Sequence, residues 1–187
     1  MEYRLHTPLA QEEILRLRAG DRVLLTGTVY TARDAAHQRL IACLDQGAPL
    51  PFPLSDSVIY YAGPTPEAPD QVIGSAGPTT SGRMDSYTPR LLEQGLRVMI
   101  GKGDRSPTVR ESIRRWGAVY LAAPGGAGAL LAACVENVRL ICWEDLGCEA
   151  IRELQVRDMP LLVAIDSEGQ DLYTEGPAAY LSHRDEK

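Results

Sequence analysis

Apolar residues recur along this chain in two patterns, helical spacing and short β-branched runs, and the changes between them mark its elements. Residues 21–30 carry Val23, Leu24, Leu25, Thr26, Thr28 and Val29, which predicts a strand. Over residues 34–45 the apolar positions Ala35, Ala36, Leu40, Ile41 and Leu44 fall at helical spacing, and Gly47 ends the run. Ahead of these, residues 3–5 read as a short extended piece. Thr7 and Pro8 read as the N-cap and first position of a short helix over residues 11–18. Residues 57–61 predict the next strand and residues 71–74 another extended piece, while Thr88 and Pro89 start a helix above Leu91 and Leu92.

The second half is more regular. Residues 96–100, 107–116 and 118–123 predict strand, helix and strand, with Ser106 as N-cap and Pro107 at the first helical position. Two strands joined by a helix of that length form a βαβ crossover, so they should be parallel. Residues 129–134 predict a short helix, and residues 137–143 and 161–165 two strands with a helical stretch over 147–155 between them. Residues 166–169 read as a hairpin-type turn leading to Asp171, Leu172 and Tyr173. The alternation predicts an α/β fold with a mixed sheet and flanking helices.

Composition narrows the function classes. The chain has 187 residues, 44% of them hydrophobic and 24% charged, which suits one folded domain over residues 1–187 with a polar tail at about 182–187. A net charge of −6 lacks the basic face that nucleic acid or an anionic membrane needs. No window of about 18 apolar residues predicts a membrane span, and residues 1–6 lack the apolar core of a secretory signal, so a cytoplasmic location is expected. Cys43, Cys134, Cys142 and Cys148 form no CxxC pair and match neither a zinc knuckle nor a common cluster motif. They read as reduced thiols, and no metal ligand is assigned.

Four loop clusters carry the candidate chemistry, and each follows an apolar run and precedes a helical segment. Residues 74–89 read Gly-Ser-Ala-Gly-Pro-Thr-Thr-Ser-Gly-Arg-Met-Asp-Ser-Tyr-Thr-Pro; their glycines allow close backbone approach, and their hydroxyls with Arg83 suit a carboxylate or phosphate. The others are Thr-Ala-Arg-Asp at 31–34, Gly-Lys-Gly-Asp-Arg-Ser at 101–106 and Pro-Gly-Gly-Ala-Gly at 124–128. Arg33 stands where a strand ends and a helix begins, where free N–H groups and the helix dipole favour anions. Lys102 and Arg105 are expected at the carboxyl edge of the sheet, where open α/β sheets bind ligands. His37 reads as a partly exposed helix histidine. Such compositions also describe ordinary surface turns, and neither glycine loop completes a Walker or dinucleotide pattern.

Taken in order, these clusters, with Val-Ile-Tyr-Tyr-Ala-Gly-Pro-Thr-Pro at 58–66 and the extended Thr-Ala-Arg-Asp-Ala-Ala-His, resemble the β region of iron–sulfur-dependent class I fumarases and L(+)-tartrate dehydratases. The resemblance covers roughly residues 5–175. It implies a swivelling β/β/α domain supplying half an active site, with a 4Fe-4S cluster on a partner α subunit in an α2β2 assembly. It further implies that Arg33, Thr80, Arg83 and Lys102 hold substrate carboxylates and that Thr79 and Arg83 act in catalysis, Thr79 near the carbon that exchanges a proton. Hydration of fumarate to L-malate leads and dehydration of tartrate to oxaloacetate follows. Two departures stand out: Asp104 where a neutral polar residue is expected, and Ser55-Asp56-Ser57 in place of a Lys-Gly turn. A non-catalytic dicarboxylate-binding or regulatory module and a self-sufficient phosphate-ligand enzyme remain alternatives.

Overall fold

A computed structural model describes residues 1–185. Its strands are β1 (Glu2–His6), β2 (Arg22–Thr31), β3 (Val58–Tyr60), β4 (Val98–Gly101), β5 (Val119–Ala122), β6 (Val135–Cys142) and β7 (Ile151–Ile165). The helices are α1 (Gln11–Arg16), α2 (Asp34–Gln46), α3 (Thr88–Glu93), α4 (Pro107–Trp116), α5 (Gly128–Ala133) and α6 (Leu172–Asp185). Strands β1 to β5 pair in sequence order and in parallel. The 15-residue β7 runs antiparallel against β2, β5 and β6, so one mixed sheet of seven strands closes into a ring.

Successive side chains of a strand point to opposite faces, and here both faces are buried. Val58, Tyr60, Val98, Ile100, Val119 and Leu121 enter a core shared with β1, β2 and β7. Their neighbours Ile59, Tyr61, Met99 and Tyr120 enter a second core against α2, α3 and α4. Two-sided burial explains why β3, β4 and β5 read as continuous apolar runs rather than polar–apolar alternation.

Several expectations fall to local chemistry. Thr7 is no helix cap: the Thr7–Pro8 bond is cis, the Thr7 hydroxyl accepts from the Thr28 N–H, and α1 starts later with Ala10 as N-cap. Residues 71–74 are irregular, with bends at Val72 and Gly74 after a turn at 69–70, instead of an extended piece. The helix expected over 147–155 is a 3-10 turn (Glu144–Glu149) followed by the start of β7, where Ile151, Leu154 and Val156 find buried places between β2 and β6. After the turn at 166–169, only Asp171 bridges back to the sheet; its carboxylate accepts from the Tyr173 N–H and caps the unanticipated α6. The polar-tail expectation for 182–187 lies on the last turn of α6 and on two residues outside the described ones.

The parallel arrangement positions the loops. Because β2, β3, β4 and β5 run the same way, their carboxyl ends share one edge. Arg33 follows β2, Lys102 follows β4 and the glycine loop at 124–128 follows β5. Residues 78–80 return to that edge through an Ala62–Pro78 bridge and a Thr80–Lys102 bridge.

Candidate functional site

The loop at 74–89 is fixed to the sheet edge by its backbone before any side chain is considered. Thr79 N–H donates to the Tyr61 carbonyl (2.7 Å) and Ser81 N–H to the Lys102 carbonyl (2.9 Å). Gly101 permits this approach: a Cβ there would collide with the Ser81 hydroxyl and lie 2.8 Å from the Tyr61 ring. Thr79 is half-buried, Thr80 exposed and Lys102 half-buried.

Beneath the loop lies a buried charge. The Arg105 side chain is 0% exposed; its Nε donates to Asp85 (2.6 Å) and its Nη2 to the Thr88 hydroxyl (2.7 Å). Its guanidinium carbon lies 5.3 Å from the Tyr61 ring centre and 5.1 Å from that of Tyr120. Burial opposes its charge, but Tyr61, Asp85 and Tyr120 outweigh that and raise its pKa. The Tyr120 hydroxyl meets Ser81 Oγ (2.8 Å) and donates to the Gly103 carbonyl (2.8 Å). Arg105 therefore does not face a ligand at the sheet edge, as its loop position suggests. It ties the loop at 81–88 to the loop at 101–106.

Arg33 and Arg83 meet at one carboxylate. Arg33 Nε lies 3.2 Å from Asp34 Oδ2 and 3.5 Å from Glu149 Oε1, while Arg83 Nε lies 2.7 Å from Asp34 Oδ1. Arg33 is 20% exposed and Arg83 51% exposed. Burial alone would raise the Asp34 pKa; hydrogen bonds from its own backbone and Arg33, with the charges of Arg83 and Arg33, outweigh it and hold the carboxyl below the usual range. Among the described residues Lys102 forms no ion pair.

The helix N-termini expected to receive an anion each already hold a carboxylate of this chain. Ala35 N–H, in the first turn of α2, donates to Glu149 Oε2 (2.8 Å), and Ser106 N–H at the start of α4 donates to Asp85 Oδ2 (2.6 Å). His37 is fully buried, not partly exposed: its ring packs edge-on to Tyr61, and Nδ1 donates to the Arg33 carbonyl (3.1 Å). Nε2 has no partner. Burial, aided by the charge of Arg105, lowers its pKa to about 4. Of the two sequence departures, Asp104 is exposed beside Tyr173, and Ser55-Asp56-Ser57 precedes β3 at the opposite edge.

The sequence offers Asp34, or a glutamate elsewhere, as a partner for Arg33, and both pairings form, the glutamate being Glu149. What sequence reasoning passed over is Asp85, though it stands inside the quoted cluster at 74–89, and the identity of Glu149, which tertiary folding brings to α2.

Burial pushes the Cys134 and Cys142 thiols up, against the thiolate that iron requires, and the described residues hold no group of three or more His, Cys, Asp or Glu side chains placed for a metal ion. The donors among the described residues do not fit an iron–sulfur cluster. No helix among the described residues is long and apolar enough to cross a membrane.

A closed mixed sheet with arginine, lysine and threonine on the loops at the carboxyl ends of its parallel strands defines an α/β domain. The chain belongs to the Fumarase C-terminus family, which matches residues 1–176, and so to a family of hydro-lyases. It is 40% identical over 181 residues to the putative L(+)-tartrate dehydratase subunit beta of Methanocaldococcus jannaschii, covering 94% of this chain and 92% of that protein. It is 34% identical to the L(+)-tartrate dehydratase subunit beta of Escherichia coli, covering 97% and 91%. Against fumarate hydratase 2 of Leishmania major it is 36% identical over 88% of this chain, but spans only 29% of that relative's length.

Two outcomes follow for stability. Asp85→Ala leaves the Arg105 charge buried and unpaired, so urea denaturation should show a loss of about 3–5 kcal/mol; an unchanged midpoint would remove the pair from the stabilising core. His37 binds its proton more weakly folded than unfolded. Its contribution is therefore complete above pH 6.5 and is lost as pH falls toward about 4. Denaturation at pH 7 and pH 4.5 should show a smaller acid loss for His37→Asn than for the wild type, and equal losses would contradict the burial of a neutral ring.

Proposed function

We propose that this chain is the β subunit of a two-subunit cytoplasmic hydro-lyase, a single domain that adds water to, or removes it from, a four-carbon dicarboxylate. The observation carrying this reading is the convergence of Arg33, Arg83, Lys102, Thr79 and Thr80 on one open edge. Family membership and near-complete coverage of proteins named as β subunits support it. Fumarate to L-malate is the leading reaction. Tartrate to oxaloacetate is the second reading, favoured because the two relatives matched over nearly their whole length carry that name.

In this proposal Arg33, Arg83 and Lys102 bind and orient the substrate carboxylates, with Thr80 as a hydroxyl donor. Planar guanidinium forks fit carboxylates end-on, and the lysine adds a compact charge. Thr79 lies against the carbon that loses or gains a proton; a threonine hydroxyl is a weak base, so Arg83 or a partner group must stabilise its deprotonated form. Lewis-acid chemistry falls to a 4Fe-4S cluster on an α subunit, in an α2β2 assembly, since the thiols here do not fit it. An exposed ion pair contributes about 0–1 kcal/mol in water, and a partner that excludes solvent strengthens it.

The experiment is reconstitution. Expressed alone, the chain should be colourless and inactive; joined anaerobically to a cluster-bearing α subunit, it should give oxygen-sensitive hydratase activity. A lone, metal-free chain that hydrates fumarate would overturn the half-site reading.

Thr79→Val in the assembled enzyme keeps shape and β-branching but deletes the hydroxyl. Turnover and deuterium exchange from solvent into product should fall together, by about 100-fold or more, with the melting temperature unchanged. Damage from Thr80→Val with a silent Thr79→Val would move the proton-transfer role by one residue.

A further inference from the structure

Two arginines from distant parts of the chain share one carboxylate, and the atoms they use matter. Arg33 lies at the end of β2, and Arg83 lies in the 3-10 turn Ser81–Met84. Each reaches Asp34 through Nε, and each takes a different oxygen: Oδ2 for Arg33, Oδ1 for Arg83. A guanidinium held at Nε keeps its Nη1–Nη2 edge for end-on contact with another carboxylate. Without the carboxylate between them, two adjacent guanidinium charges repel. Arg33 is anchored further by Glu149, and its Nη1 lies over Gly63, where a Cβ would stand 3.0 Å away.

We infer that Asp34 is a positioning residue that spaces and orients Arg33 and Arg83 as paired receptors for the two carboxylates of one dicarboxylate. The inference rests on the proposed function. It also fixes what recognition depends on. Arg33 and Arg83 are balanced by Asp34 and Glu149, so these four side chains carry no net charge; the two forks select a dianion by geometry, and the positive charge in excess comes from Lys102.

That distinction gives the test its sign. Asp34→Asn removes a negative charge from beside the site. If net charge governed binding, the variant would hold a dianion more tightly. If Asp34 sets geometry, one arginine faces an amide N–H in place of an acceptor, and binding weakens. With the chain assembled on its α subunit, Asp34→Asn should raise the KM for the dicarboxylate substrate by about tenfold or more. Inhibition by succinate should weaken by a similar factor, and inhibition by propionate, with one carboxylate, by much less. Asp34→Glu keeps the charge but lengthens the bridge; it should raise KM less than Asp34→Asn does, at an unchanged melting temperature. It also decides the matter if Asp34→Asn fails to assemble. A KM that falls or stays constant, or equal losses for succinate and propionate, would overturn the inference. Wild-type assembly without hydratase activity would instead sink the proposed function, whereas an active wild type with silent Asp34 variants sinks only this inference.

Discussion

The edge that carries the candidate site depends on one buried ion pair. Arg105 is wholly enclosed, and Asp85 joins it to the N-terminus of α4 through the Ser106 N–H. Removing two charges from water costs several kcal/mol each, which is recovered only with good geometry and full hydrogen bonding. Here Asp85, Thr88 and the rings of Tyr61 and Tyr120 supply both. Because the same partners belong to the loop at 81–88, to β5 and to the end of β3, the pair sets the spacing between the Thr79–Arg83 segment and Lys102. A cation that looks like ligand chemistry in the sequence is thus spent on holding other ligand chemistry in place.

A second constraint follows from the filled helix ends. Glu149 takes an N–H in the first turn of α2 and Asp85 one at the start of α4, so at both helix ends a carboxylate of the chain itself meets the positive end of the dipole. The cations at the edge are side chains: a half-exposed Arg83, an Arg33 clasped by two carboxylates, and Lys102 on its bridge to Thr80. Side-chain forks discriminate by angle and spacing where helix dipoles discriminate mainly by charge.

Much of this was legible in the sequence because local rules governed it. The segment from β4 through α4 to β5 followed from apolar runs, the Ser106 cap and the parallel-crossover rule, and its ends agree within two residues. Arg33, Arg83 and Lys102 stand out in the sequence by loop position, and Thr79 and Thr80 only through the family resemblance; all five lie on loops at one edge because β2 to β5 are parallel. What escaped was set by tertiary partners. Residues 151–155 have enough helical character to mislead, yet β2 and β6 claim them as a strand from both sides. His37 reads as a surface residue on helical spacing alone, but the rings of Tyr61 and Tyr87 cover it. The roles of Arg105 and Asp34 depended on partners brought from elsewhere in the chain, Asp85 for Arg105 and Arg83 for Asp34, whose placement no local pattern encodes.

The closing strand sets a timetable for the molecule. Tyr30 and Glu153 are 123 residues apart in sequence yet adjacent in the sheet, and β7 is the strand that joins β2 to β5. Until β7 emerges from the ribosome, β2 and β5 stay open-edged and the enclosed core lacks Leu154, Val156, Leu161 and Val163. Pairings of such long range are slow to form and leave sticky edges exposed meanwhile. The loops on the carboxyl edge, however, are synthesised early. Birth order and assembly order therefore run in opposite senses: the loops of the carboxyl edge leave the ribosome before the strand that closes the ring on which they sit.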